Sequence, residues 1–133
     1  MNKFVISLIL LVGLISCEIN QKGHESQKES VEAPEIRIGR KLIERALANS
    51  PETHVSTSFT NIKDAETAIK AAEPELFSIY GEKNILAQKP YRTLEIDDYW
   101  IISGVLKEGL LGGVFLVILE SASGKIISIV HGK

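Results

Sequence analysis

The apolar pattern of this chain changes period near Asn84. Upstream, apolar residues recur every three or four positions, and downstream every two. A helix presents one face every 3.6 residues and a strand every two, so the chain divides into a helical half and a sheet half. The stretch "EIRIGRKLIERALANSP" places Ile36, Ile43 and Leu47 at helical spacing with Leu42 and Ala46 alongside, and Ser50-Pro51 stops it. In "NIKDAETAIKAAEPELFSIYG", Asp64 is an N-cap, Ala65, Ala68, Ile69, Ala72, Leu76 and Ile79 form one stripe, and Gly81 closes the helix. Pro74 lacks a donor and biases Glu73 away from helical angles, which predicts a kink or a restart there.

Four strands with short connections follow: Pro90 to Ile96, Tyr99 to Leu106, Val114 to Ser121, and Lys125 to His131. Asp97-Asp98 makes the first turn. "SASGK" suits a three-residue hairpin loop with Gly124 in the left-handed position, pairing Ser121 with Lys125. That register sets Phe115, Val117, Leu119, Ile127 and Ile129 on one face, which the helices cover. The fold class is α+β, N-terminal helices packed on a curved four-stranded antiparallel sheet.

The other sheet face is also apolar. Val114, Leu116, Ile118, Ile126 and Val130 point away from the helices, whereas an antiparallel sheet with one wet face alternates cleanly. Burying such side chains is worth about 1.5 to 3 kcal/mol each, and an exposed patch of that extent marks a contact surface. The expectation is a docked partner, either a second copy of the chain or another protein. The alternative is that sheet curvature lets the first helix or the loop from Lys107 to Gly113 cover it. Tyr91, Tyr99 and Trp100 cluster around the first hairpin, where they serve cross-strand packing or an interface. The interface candidates are therefore Tyr91, Tyr99, Trp100, Leu116, Ile118, Val130 and His131.

At the amino end, Lys3 precedes an apolar run from Phe4 to Ile15 broken by Ser7 and Gly13, and Ser16 precedes the chain's one cysteine, Cys17. This is the plan of a signal peptide over residues 1–16, too short to span a bilayer, which takes about 20 helical residues. Leu14-Ile15-Ser16-Cys17 resembles the bacterial lipobox, which implies a lipoprotein whose Cys17 carries diacylglycerol and an added acyl chain such as palmitate. Several chains on one residue give stable membrane attachment. Residues 18 to 34, "EINQKGHESQKESVEAP", cannot offset their own ordering entropy, so 17–34 reads as lipidated cysteine plus flexible tether, reaching about 20 to 25 Å. His24 is a solvated side chain of that linker. Residues 35–133 form one domain, left without a cysteine for any disulfide.

Few residues suggest chemistry. Ser128 is the one polar residue in the middles of the last two strands, and the adjacent Asp97 and Asp98 diverge at a turn. His24, His54 and His131 are too far apart for a zinc spacing. "GVLKEGLLGG" lacks the Gly-Lys-Ser/Thr ending of a phosphate loop and reads as a flexible connection, and no Gly-x-Ser-x-Gly elbow occurs. After loss of Lys3, fourteen basic residues face seventeen acidic ones with no basic stripe, which argues against nucleic acid. No cofactor, metal or catalytic residue is expected.

From Ile62 to the end, "DAETAIKAAE", "IYGEKNI", "KPYRTLEIDDYWIISGVL", "EGLLGGV" and "SGKIISIVHGK" resemble a bacterial immunity-protein family with a nuclear transport factor 2-like (cystatin-like) fold, found beside polymorphic toxins. The order Trp100, Gly104, Gly112-Gly113, Gly124-Lys125-Ile126, His131-Gly132-Lys133 carries the likeness. Pro74 and Lys107 depart from the family pattern. The resemblance implies an immunity protein that binds and neutralises a cognate protein toxin without catalysis. With the lipid anchor, the expected location is the cell envelope, facing the periplasm or the cell surface. Two readings from other classes stay open: a periplasmic peptide- or protease-binding inhibitory module, and an isomerase-like or dehydratase-like enzyme using Tyr80, Tyr91 or Tyr99.

Overall fold

Helix α1 spans Pro34–Asn49 and carries Ile36, Gly39, Ile43 and Ala46 along one stripe. A computed structural model of the chain describes residues 32–49 and 55–133. The expectations for the signal segment, for Cys17, His24, Ser50-Pro51 and His54, and for all of the tether before Glu32 lie outside the described residues. Strand β1 (Val55–Ser56) follows, then α2 (Ala65–Tyr80), α3 (Glu82–Leu86), β2 (Arg92–Ile96), β3 (Tyr99–Ser103), β4 (Phe115–Glu120) and β5 (Lys125–His131). All pairings are antiparallel, in the order β1-β5-β4-β3-β2.

The predicted four-stranded meander is present, with strands that end earlier than the apolar runs suggest. β3 stops at Ser103, and the chain from Gly104 to Val114 forms a long loop. The short edge strand β1 was not predicted. Two residues are too few to show a period of two, and the strand exists because β5 offers a paired edge: Val55 faces Ile126 and Ser56 faces Lys125. The Thr57 hydroxyl then donates to the Gly124 carbonyl at 2.8 Å.

Asp64 caps α2 as expected, its carboxylate accepting from the Thr67 N–H at 2.8 Å, and Gly81 at φ +85° ends the helix. No restart occurs at Pro74, because α2 runs through it as one element. Proline removes a single ladder bond. The apolar stripe continues on both sides of it, with Ala68, Ala71 and Ala72 before and Leu76 after, all buried against the sheet.

The two long helices do not share a face. Along each strand, alternate residues fall into two separate clusters, as a period of two requires. Ala68, Ala72 and Leu76 of α2 and Ile85 of α3 pack on Trp100, Ile102, Phe115, Val117, Leu119 and Ile126. Ile43 of α1, with Ile36, Leu42 and Ala46, packs on Ile96, Ile101 and Ile118, joined by Leu94, Tyr99, Leu116 and Ile127. The second apolar face is therefore covered largely by the chain's own first helix. The expectation of a bare face awaiting a partner is corrected to that extent.

Gly39 is what lets α1 lie so close. A Cβ at this position would overlap Ile96 Cδ1 and stand 3.1 Å from Ile101 Cδ1 and 3.3 Å from Leu94 Cδ2. The same glycine costs about 1 kcal/mol of helix propensity relative to alanine. Arg40, one residue on, donates from Nε to Asp97 Oδ2 at 3.4 Å and ties α1 to the β2–β3 turn.

The β4–β5 register holds the predicted pairing from Phe115↔His131 to Ile118↔Ser128, then shifts by one so that Leu119 faces Ile126. A bulge admits one extra residue and reverses the faces beyond it. Ile126 joins the α2 cluster and Ile127 the α1 cluster, the reverse of the predicted assignment. Gly124 has φ +66°, and its N–H bonds to the Glu120 carbonyl at 2.9 Å, as the turn requires.

Candidate protein-binding surface

Two apolar clefts lie against the end of β5. The first, about 490 Å³, runs along β5 between the two long helices and is lined by Leu42 and Ala46 of α1, Glu75 and Ile79 of α2, and Leu116, Ile118 and Ile126 to Val130 of the sheet. It is what remains of the predicted bare face. Leu116, Ile118 and Val130, three of the predicted interface residues, meet in it. They differ in access, since Ile118 is 1% exposed and Val130 52%.

The second cleft, about 440 Å³, sits at the C-terminal end of α2 between Tyr80, Asn84, Gln88 and His131 on one side and Val105 to Lys107 with Leu110 to Gly113 on the other. Val130 and His131 are adjacent on β5, as Ile79 and Tyr80 are on α2, so the two clefts flank one strand end. Leu106, Leu110 and Leu111 of the long loop are exposed, Leu111 completely.

Polar order at the base of the second cleft comes from Gln88. Its Oε1 accepts the Phe115 N–H at 3.0 Å, which fixes the amide and turns its nitrogen toward the Asn84 carbonyl (3.4 Å) and His131 Nε2 (3.5 Å). The other imidazole nitrogen, Nδ1, lies 2.8 Å from the Gly132 carbonyl. The Val105 N–H bonds to the Gln88 carbonyl at 2.9 Å, and the Tyr80 ring lies 5.0 Å from the imidazole. Both imidazole nitrogens are thus engaged, and no carboxylate lines this cleft among the described residues. The arrangement can present hydrogen-bonding groups and apolar surface to a partner.

The remaining predicted residues serve the core. Trp100 is 6% exposed and donates from Nε1 to the Ile62 carbonyl at 3.4 Å, and with Ile118 it is removed from the interface candidates by burial. Tyr99 packs in the α1 cluster. Tyr91 meets Phe115 edge-on at 5.1 Å, and its hydroxyl is shared between Glu73 Oε1 and the Ile85 carbonyl, both at 3.3 Å. Burial, the Glu73 charge and that hydrogen bond raise the Tyr91 pKa well above the ordinary phenol value. Lys89 bridges to Glu73 at 2.9 Å, so this cluster pins α2 to the start of β2. Gln88, Leu106, Leu110 and Leu111 escaped the sequence reading. The signal for them was an eleven-residue link between neighbouring strands, where two residues suffice at Asp97-Asp98.

No group of three or more metal-ligating side chains occurs among the described residues, and no described helix is long and apolar enough to cross a membrane.

Residues 67–133 match the family described as NTF2 fold immunity protein. The chain belongs to this family. The match covers α2, α3 and strands β2 to β5, and so every element that forms the second cleft. Two curated relatives from Escherichia coli (strain K12) are similar over 73 residues, 54% of this chain: YhhH, an uncharacterised protein, at 29% identity, and YbbC, also uncharacterised, at 32%. The aligned segment spans 58% and 60% of their lengths, about three fifths of each. No solved structure matches the chain at a significant level.

Proposed function

We propose that the chain neutralises a cognate bacterial toxin by binding it, without catalysis, from a lipid-anchored position in the cell envelope. One observation carries the binding reading. The family match covers the second cleft, an apolar surface with exposed leucines at its rim in which Gln88 and His131 are already hydrogen-bonded, which suits recognition of a partner. An immunity protein meets its toxin in the compartment where the toxin acts. Cleavage after residue 16, lipid on Cys17 and a tether through residue 34 would hold the domain some 20 Å from the lipid surface, facing the periplasm or the cell surface.

Co-expression with the toxin encoded beside its gene tests this. The native chain is expected to restore growth and to purify in a stable complex with that toxin. A Cys17→Ser form kept in the cytoplasm is expected to bind the toxin in vitro and to fail to protect the cell. Equal protection by the Cys17→Ser form removes the compartment argument, and no rescue together with no complex removes the immunity reading itself.

A further inference from the structure

We infer that the β3–β4 loop is the element that enters the toxin, with Leu110 and Leu111 at its tip filling an apolar recess on that protein; this rests on the immunity reading above. The loop is longer than its connection requires. It joins neighbouring antiparallel strands with the eleven residues from Gly104 to Val114, where Asp97-Asp98 joins the preceding pair with two. Its length exceeds the two to five residues usual for a hairpin connection, and binding residues are disproportionately carried on loops held by a rigid scaffold.

Its exposure rises toward the tip, from 42% at Leu106 to 55% at Leu110 and 101% at Leu111. Leu111 contributes nothing to the monomer's core. No heavy atom lies within 4 Å of a Cβ built on Gly109 or Gly112, so the tip stands clear of the domain on both sides of the leucine pair. The base, by contrast, is fixed. Gly104 N–H bonds to the Phe115 carbonyl, Val105 N–H to Gln88, and Gly132 N–H to Val114, at 2.9 to 3.0 Å. An apolar tip on an anchored base loses less conformational entropy on docking than a free segment would.

Charge selects the occupant. Lys107 and Glu108 cancel within the loop, which leaves no basic cluster to draw it to an anionic lipid surface. A folded protein with an apolar recess for two leucines, rimmed by groups able to hydrogen-bond Tyr80 or Lys107, fits better. Such a recess is the kind of central pocket in which binding energy concentrates.

The test uses the full chain and the toxin encoded beside its gene. Leu110→Ser with Leu111→Ser is expected to weaken the complex by roughly 100-fold or more, to abolish growth rescue, and to leave the melting temperature unchanged. Leu47→Ser, at an exposed leucine of α1, is expected to leave binding intact. Undiminished rescue by the double variant, while the native chain rescues, overturns the loop assignment and leaves the immunity reading standing. A native chain that neither binds nor rescues ends both. A second arm replaces Leu111 with p-benzoylphenylalanine and irradiates intact cells. Cross-linking to the toxin supports the inference, and cross-linking solely to lipid or to a second copy of the chain overturns it.

Discussion

Replacement of Gly39 gives a stability change whose sign depends on whether α1 covers the second sheet face. On a solvated helix, Gly→Ala stabilises by about 1 kcal/mol. Here the added methyl would overlap Ile96 Cδ1, in a side chain 3% exposed, with Ile101 Cδ1 at 3.1 Å and Leu94 Cδ2 at 3.3 Å. Overpacking of this kind costs about 1 to 3 kcal/mol. Set against the propensity gain, Gly39→Ala comes out neutral to about 2 kcal/mol destabilising. Gly39→Val adds two further carbons in the same gap and forfeits part of the propensity gain, for a net loss of about 2 to 4 kcal/mol. Urea unfolding of the chain from residue 18 onward, followed by circular dichroism, reads these differences. Ala48→Gly, on the exposed side of α1, is the control, with an expected loss of about 1 kcal/mol from propensity alone. If Gly39→Ala stabilises by a full 1 kcal/mol and Gly39→Val is tolerated, α1 does not lie on the sheet there. The second face would then be bare, and a docked partner would again be needed to cover it.

Other expectations follow from single side chains. Ile118→Ala should cost about 2 to 5 kcal/mol in a denaturant melt, whereas Val130→Ala, at a half-exposed position on the neighbouring strand in the same cleft, should cost under about 1 kcal/mol. Because the Tyr91 phenol is held protonated, the folded chain is at its most stable relative to this group below pH 10.0. It loses that contribution as pH rises through the higher folded value. Tyr91→Phe should therefore cost about 0.5 to 1.5 kcal/mol at neutral pH and flatten the alkaline limb of a stability-versus-pH curve. Asp64 behaves in the opposite sense. The Thr67 N–H and hydroxyl hold its carboxyl below the ordinary 3.8, so its contribution is complete above that pH and fades as pH falls through the lower folded value. Asp64→Asn should keep the cap at pH 7 and remove this part of the acid sensitivity in thermal melts between pH 5 and pH 2.

Much of the architecture was legible in the residues. The division into a largely helical first half and a strand-rich second half, the Asp64 cap, the Gly81 stop of α2, the Asp97-Asp98 turn and the left-handed Gly124 each rest on local chemistry and stand in the structure, whereas the change of period read at Asn84 falls inside α3, a short helix that was not predicted. What escaped depends on non-local partners. Periodicity shows that both faces of β4 and β5 are apolar, and it cannot say which helix lies on which face. Gly39 held the answer, since a glycine inside an amphipathic helix marks a close approach as readily as a weak helix. The bulge at Ile127 reverses two residues because the β4–β5 turn closes one residue out of step with the upper register, a mismatch that alternation alone does not reveal. The helix does not restart at Pro74, because burial of Leu76 beyond it holds the next turn against the sheet.

The interface was legible in part for the same reason. Leu116 and Val130 line a cleft because α1 leaves that end of the sheet open, whereas Trp100 and Ile118 have the composition of interface residues and the burial of core. The leucines of the β3–β4 loop were overlooked because their glycine-rich setting reads as a connector. Their significance appears once β3 proves to end at Ser103 and β4 to begin at Phe115, so that the connection is longer than the expected Lys107 to Gly113.

The central claim, neutralisation by binding without turnover, is tested most directly by titrating purified toxin with purified chain and following residual toxin activity. Inhibition should rise linearly, reach completion at one molar equivalent, and leave a toxin of unaltered mass that regains activity when the complex is dissociated. Complete inhibition at a small fraction of an equivalent, with a covalently changed toxin, would contradict it.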